Sequence, residues 1–287
     1  MKRTFILFFI FITLSWSLGA QSFYNQYHDR RWIASVGTGT TSYFGELNNP
    51  GKYFDTKPNL NIGLRRKISS RWSLRSEITW YHIEGSDAKA NNEGRKARNL
   101  SFKSNNFEIN IEAMWGVFKE GIRFYQRRAV NPYLFAGLGL TYFNPKTDYE
   151  GITYSLIKFT TEDVKYSRTT IIIPAGFGVK FKIMPLLNIN IEAGYRTTFT
   201  DYLDDVSAEY INTENITDPV RVALIDRGQE LGFPPAEPGT PRGNPGAKDG
   251  YAIFNIKAEY YLPADLIFKQ KESNQGSGKR KYRKMLQ

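Results

Sequence analysis

Residues 251–262 read YAIFNIKAEYYL. The even positions Ala252, Phe254, Ile256, Ala258, Tyr260 and Leu262 are apolar. The odd positions Tyr251, Ile253, Asn255, Lys257, Glu259 and Tyr261 are mostly polar. Successive side chains of a strand point to opposite faces, so this spacing places one face in an apolar medium and the other in a polar one. A helix would scatter Lys257 and Glu259 among the apolar positions. The stretch predicts a strand.

The same alternation recurs in seven upstream segments, 32–43, 59–68, 72–83, 104–118, 132–142, 170–181 and 187–196. Eight segments of about ten residues, separated by turn residues, are the pattern of a transmembrane β-barrel. The predicted fold class is all-β: an eight-stranded antiparallel barrel of the outer membrane, with residues 21–262 forming the barrel domain. Connections alternate long and short. Bacterial barrels keep short turns in the periplasm and long loops outside, so the loops near 44–58, 84–101, 143–169 and 198–250 are expected outside and both termini in the periplasm. Pro174 lies inside a predicted strand and has no N–H for the ladder, which predicts a bulge there. A soluble lipocalin-like barrel would turn its apolar face inward. Against it, Trp32, Trp72, Trp80 and Trp115 share the outward parity near strand ends, where membrane-interface aromatics belong; Tyr195 and Tyr260 are assigned to the same girdles.

The 287-residue chain has no cysteine, a formal charge of +11 and 15% aromatic residues. Residues 1–20 read as a secretory signal peptide: basic MKR, an apolar run to Leu18, then Gly19-Ala20 before the cut. Without cysteine, neither a lipid-modified N-terminal cysteine nor a disulfide framework is expected. Residues 263–287 read as a basic, Ser/Gly/Gln-containing and disordered periplasmic tail. It holds seven basic side chains against Asp265 and Glu272, a net of +5. Lys279, Arg280, Lys281, Arg283 and Lys284 are its candidate partner-docking residues. Export excludes nucleic acid as their partner.

The polar rows should line the lumen, with Arg65, Lys67, Arg75, Lys180, Arg196 and Lys257 set against Glu77, Glu108, Glu112, Glu192 and Glu259. Eight strands enclose an interior just wide enough for side chains to fill. Near-balanced charge in so narrow a space predicts a salt-bridged plug; a selective channel would favour one dominant sign and more strands. Catalytic chemistry is sparse. His28 precedes the barrel, His82 has outward parity, and the acidic run Asp201, Asp204, Asp205 reads as a solvated loop lacking a complete cation-ligand spacing. No catalytic residue, cofactor or metal site is assigned.

Four stretches resemble a family of Bacteroidota outer-membrane barrels, the PorG-like family, which includes a type IX secretion system component. They are Tyr43-Phe44-Gly45-Glu46-Leu47-Asn48; Arg98-Asn99-Leu100-Ser101-Phe102; Thr200-Asp201-Tyr202-Leu203-Asp204-Asp205-Val206; and Arg242-Gly243-Asn244-Pro245 with Lys248-Asp249. The resemblance spans about residues 22–262. It implies a non-enzymatic structural or docking barrel in the outer membrane, with membrane lipids and periplasmic secretion-ring proteins as partners. The alternatives are an outer-membrane enzyme using the rim carboxylates, or a general adhesin or envelope-stabilising barrel.

Overall fold

The computed structural model describes residues 30–48, 56–121, 126–246 and 248–263. The expected signal peptide, His28 and the docking tail lie outside the described residues. Ten strands follow in chain order: β1 (Trp32–Phe44), β2 (Lys57–Lys67), β3 (Trp72–Ser86), β4 (Ser101–Gly116), β5 (Val130–Tyr142), β6 (Lys146–Tyr149), β7 (Ile152–Ser155), β8 (Thr169–Met184), β9 (Leu187–Thr198) and β10 (Gly250–Tyr261). Eight of them form an antiparallel ring in the order β3-β2-β1-β10-β9-β8-β5-β4, closed by pairing of β4 with β3. Closure leaves no unpaired edge in the wall, as hydrocarbon requires. The fold is a closed eight-stranded barrel of the outer-membrane kind. The short β6–β7 hairpin extends from the upper end of β4.

Parity decides which way each side chain points. Ile111 is 56% exposed on the outer wall, while its neighbour Glu112 is fully buried in the lumen. The outer belt is built from such residues as Leu60, Ile62, Ile78, Ile109, Leu138 and Phe177, all at least 48% exposed. In water that surface would be unfavourable at roughly 25 cal/mol per Å²; facing lipid, it is the stable arrangement. Trp32, Trp72 and Trp115 ring the short-turn end of the wall, with Trp72 directly opposite Trp115 across β3 and β4. Trp80 stands eight residues further up β3, about 20 Å higher at normal strand rise and tilt. Tyr195 and Tyr260 also face outward, at the upper and lower ends.

The two ends of the described chain meet at the short-turn rim. The Leu262 amide donates to the Trp32 carbonyl at 2.9 Å. At the opposite end the long connections form a packed cap. Leu47, Leu100, Phe143, Leu156, Leu203, Val206 and Leu224 are buried there with the strand residues Tyr43, Tyr81, Ile83, Phe102, Tyr251 and Ile253. A six-residue helix, Glu93–Arg98, and a seven-residue helix, Pro219–Ile225, belong to this cap. Asn92 and Asp218 cap their N-termini through side-chain oxygens.

The expected bulge at Pro174 is absent. Pro174 stays in register opposite Arg196 on β9. Toward β5 the ladder lapses between Ala136↔Ala175 and Gly139↔Ile172, yet the register is the same on both sides. The missing donor is accommodated by local loss of pairing, without an inserted residue. The β8–β9 register shifts instead at Lys182/Met184, beside the turn.

Candidate functional site

Two assemblies of charged groups stand out, one in the lumen and one in the cap. In the lumen, alternation on four strands, β3, β4, β9 and β10, delivers Arg75, Glu77, Glu112, Glu192 and Lys257 to one level. Arg75 Nη2 lies 2.6 Å from Glu112 Oε2, and its Nη1 pairs with Glu192 Oε1. Lys257 Nζ lies 2.6 Å from Glu77 and 2.7 Å from Glu192. All five side chains are at most 4% exposed. Charges this dry are tolerated because each has a close partner of opposite sign.

Above this layer Arg196 Nε lies 3.5 Å from Glu108 Oε2, which also accepts the Tyr251 hydroxyl at 2.8 Å. Tyr251 stacks on Tyr81 at 4.4 Å between ring centroids. Below it Arg65 pairs with Glu259 at 2.7 Å. Lys180 and Lys67 approach Glu120 at 3.0 and 3.9 Å. The eleven residues assigned to the lumen from parity are thus linked into layers from mouth to cap. Tyr133 and Phe135 enter the same lumen: the Tyr133 hydroxyl donates to Glu192, and Arg75 lies 5.3 Å from the Phe135 ring centroid.

Two members of the mouth had no parity signal because they follow the end of a strand. Glu120 folds back to accept from Lys180 Nζ and from Asn131 Nδ2 at 3.1 Å. Arg127 donates to Asn188 Oδ1 at 2.5 Å and to the carbonyls of Met184 and Pro185, and sits 4.3 Å over the Tyr261 ring. The free space between Arg65, Lys67, Glu120, Tyr133 and Lys180 is about 20 Å³, room for about one water.

The cap assembly corrects the reading of the acidic run as a solvated loop. Asp204 is fully buried and Asp205 is 1% exposed. Tyr43 Oη lies 2.7 Å from both Asp204 Oδ2 and Asp249 Oδ1, donating its one proton to one of them. The amides of Leu47 and Val206 donate to Asp204, and the amide of Leu203 donates to Asp249. Glu46 joins them: one oxygen of each of Glu46, Asp204 and Asp249 lies within 4.8 Å of the others. Gly45 is required at its position, since a Cβ there would come within 2 Å of both Tyr43 Oη and Asp249 Oδ1.

Such crowding makes ionisation costly. Burial, followed by the charge of Asp201, pushes the Glu46 carboxyl up to about 7. Burial lifts Asp201 to about 6, and it lifts Asp205 to about 6 against the opposing pull of the Arg242 guanidinium. Asp204 and Asp249 are held well above the ordinary carboxylate range, by burial first and then by a neighbouring carboxylate, Glu46 for the one and Asp204 for the other. The chemistry on offer is proton holding or sharing of a cation. Among the described residues the single histidine, His82, faces the outer wall and bonds Asn105 Oδ1 at 2.9 Å, away from these carboxylates.

The four stretches singled out in the sequence meet here. Arg98 clasps Asp87 at 2.7 Å and donates to the Arg242 carbonyl. Arg242, 2% exposed, pairs with Glu162 at 2.7 Å and donates to the Asp205 carbonyl at 2.7 Å. Gly243 lies against the Ser207 backbone, where a Cβ would sit 2.7 Å from Ser207 Cα. Segments as far as 206 residues apart therefore form one cluster; Glu46 and Asp249 lacked a local spacing to mark them.

No curated protein matches the chain. Among solved structures it is similar to Neisserial surface protein A, at 11% identity over 80% of this chain and 97% of that one, with a TM-score of 0.42. It is similar to the outer membrane protein OprG from Pseudomonas aeruginosa, at 8% identity over 81% and 96%, with a TM-score of 0.43. It is also similar to Ail, the attachment invasion locus protein of Yersinia pestis, at 10% identity over 80% and 97%, with a TM-score of 0.38. A family model described as "Domain of unknown function (DUF6089)" matches residues 4–217. That is well over half of the chain, and the chain belongs to this family.

Proposed function

We propose that this protein is a non-enzymatic outer-membrane barrel, PorG-like, that serves as a structural or docking component of the type IX protein secretion system. Its long loops face outward, both termini face the periplasm, and its partners there are the ring proteins of that machinery. One observation carries the reading: the stretches that resemble the secretion barrels meet in a single buried cluster, so the resemblance covers a built unit. The plugged lumen agrees with a scaffold role, because paired charges of both signs leave no ion-selecting lining.

The basic tail, with Lys279, Arg280, Lys281, Arg283 and Lys284, is the proposed docking contact. Exposed charge pairs contribute about 0–1 kcal/mol each, and attraction fades over about 8 Å at physiological salt. Removing residues 273–287 should leave the barrel folded and lower the yield of periplasmic secretion proteins that co-purify from detergent-solubilised envelope. Rising salt should mimic the truncation. Full partner yield from the truncated protein at every salt concentration would remove the tail from the account. Purification of the intact protein without any secretion component would remove the secretion role itself.

A further inference from the structure

Two sets of basic groups contrast at the short-turn rim. Arg65, Lys67, Arg127 and Lys180 turn inward to carboxylate, amide or carbonyl oxygens of the mouth. Arg66, Arg71 and Arg128 are exposed. Each of these three guanidiniums lies over an aromatic ring at this rim. Arg66 is 5.3 Å from the centroid of Trp32, Arg71 is 5.8 Å from that of Trp115, and Arg128 is 4.8 Å from that of Phe118. Among the described residues none of the three has a carboxylate partner. All three stand on the arc from β1 to β5; the rim of β8 carries exposed Ile183 and Met184 beside Lys182.

We propose that this arc binds the phosphate groups of anionic phospholipid in the leaflet facing the short turns. Trp32 and Trp115 have lipid-facing parity and mark the edge of the apolar belt, the depth of headgroup phosphates, while Phe118, just past the end of β4, is 40% exposed at the same rim. The ring attracts each guanidinium to that depth, and an aromatic face takes none of its in-plane N–H donors. Two parallel N–H donors match two phosphate oxygens, and the missing carboxylates leave the positive charge for the ligand. Leu64, Leu74 and Leu134, each at least 38% exposed on the wall above, give the acyl chains an apolar surface. Arg66 and Arg71 sit against Trp32 and Trp115 on the lipid-facing wall, beside the exposed leucines, so a ligand that meets charge and apolar surface together is favoured, and that ligand is lipid. The inference is independent of the secretion role.

The test uses full-length protein in nanodiscs of phosphatidylcholine with one fifth phosphatidylglycerol, with retained lipid counted by native mass spectrometry on gentle release. Phosphatidylglycerol should be retained several-fold above its share. Basic groups near an anionic membrane surface contribute enough for about a fivefold preference each. The combined substitution Arg66→Gln, Arg71→Gln and Arg128→Gln should bring retention close to the bulk ratio. Lys96→Gln, on the exposed cap helix, should leave it unchanged. Heat-shifted mobility on gels checks that the triple variant is folded, and the three single substitutions, each lowering retention in part, replace it if it is not. Retention at the bulk ratio by the unaltered protein would overturn the proposal. So would an unchanged preference in the folded variants, or binding of soluble poly-glutamate in place of the lipid.

Discussion

Replacing Arg75 with alanine should lower barrel stability by about 3–5 kcal/mol, the usual cost of removing one partner from a buried ion pair. Arg75 contacts three carboxylates, Glu77, Glu112 and Glu192. Its loss leaves them facing one another with Lys257 as the remaining cation of the layer. Denaturant unfolding in detergent micelles would measure the loss, and the boiling-dependent gel shift would appear at a lower temperature. The companion change Arg75→Met with Glu112→Gln should recover part of the stability, because it removes charge of both signs. A control lies in the cap: Lys103 and Asp148 are 2.5 Å apart but 42% and 55% exposed. Lys103→Ala should cost no more than about 1 kcal/mol. Equal effects at the two sites would mean that the lumen is as wet as the surface.

The second large effect is a dependence of cap stability on pH. Asp205 has a folded pKa of about 6 against an ordinary 3.8, so the folded cap holds its proton longer than the open chain does. A raised acid contributes stability that is fully present below the unfolded pKa and lost as pH rises through the folded one. For Asp205 alone this difference amounts to roughly 3 kcal/mol; Glu46 and Asp201 shift in the same direction. The cap should therefore be tightest near pH 4 and loosen progressively toward pH 7. Hydrogen exchange at the amides of Leu47, Leu203 and Val206, corrected for intrinsic rates, should show protection falling by at least tenfold between pH 5 and pH 8. The barrel strands should change little. Asp205→Asn keeps an acceptor for one of the Thr161 and Tyr166 hydroxyls and offers an N–H to the other, but it does not ionise, so it should flatten the dependence. Protection that rises with pH would show that the cap carboxylates are ionised and paired.

The wall was legible in the sequence for one physical reason: lipid outside and packed charge inside impose period 2 on every strand. Strand ends therefore moved by only a few residues between expectation and structure, as in the extension of β3 from Ile83 to Ser86. Parity likewise placed Arg75 and Lys257 in the lumen without any knowledge of their partners. It gave no guidance once a strand ended. Glu120 and Arg127 lie in a connection whose composition reads as a solvated basic loop, yet both turn into the mouth. The cap was hidden for a related reason: Leu203 and Val206 are apolar residues isolated in a polar run, and their burial depends on Tyr43 and Asp249 from the far ends of the chain. The β6–β7 hairpin, four residues per strand, is too short for alternation to register. Pro174 shows the converse, a strong local signal whose cost the ladder absorbed by omitting pairs.

The central claim is a membrane barrel whose lumen is closed by its own paired charges. Planar-bilayer recording of the purified full-length protein tests it most directly. No steady conductance is expected in neutral or acidic lipid at moderate salt, since Arg75, Lys257 and their three glutamates span the lumen with no single-sign path. Large, stable, ion-selective steps from the unaltered protein would contradict it, for they would require an open interior where the structure places a plug.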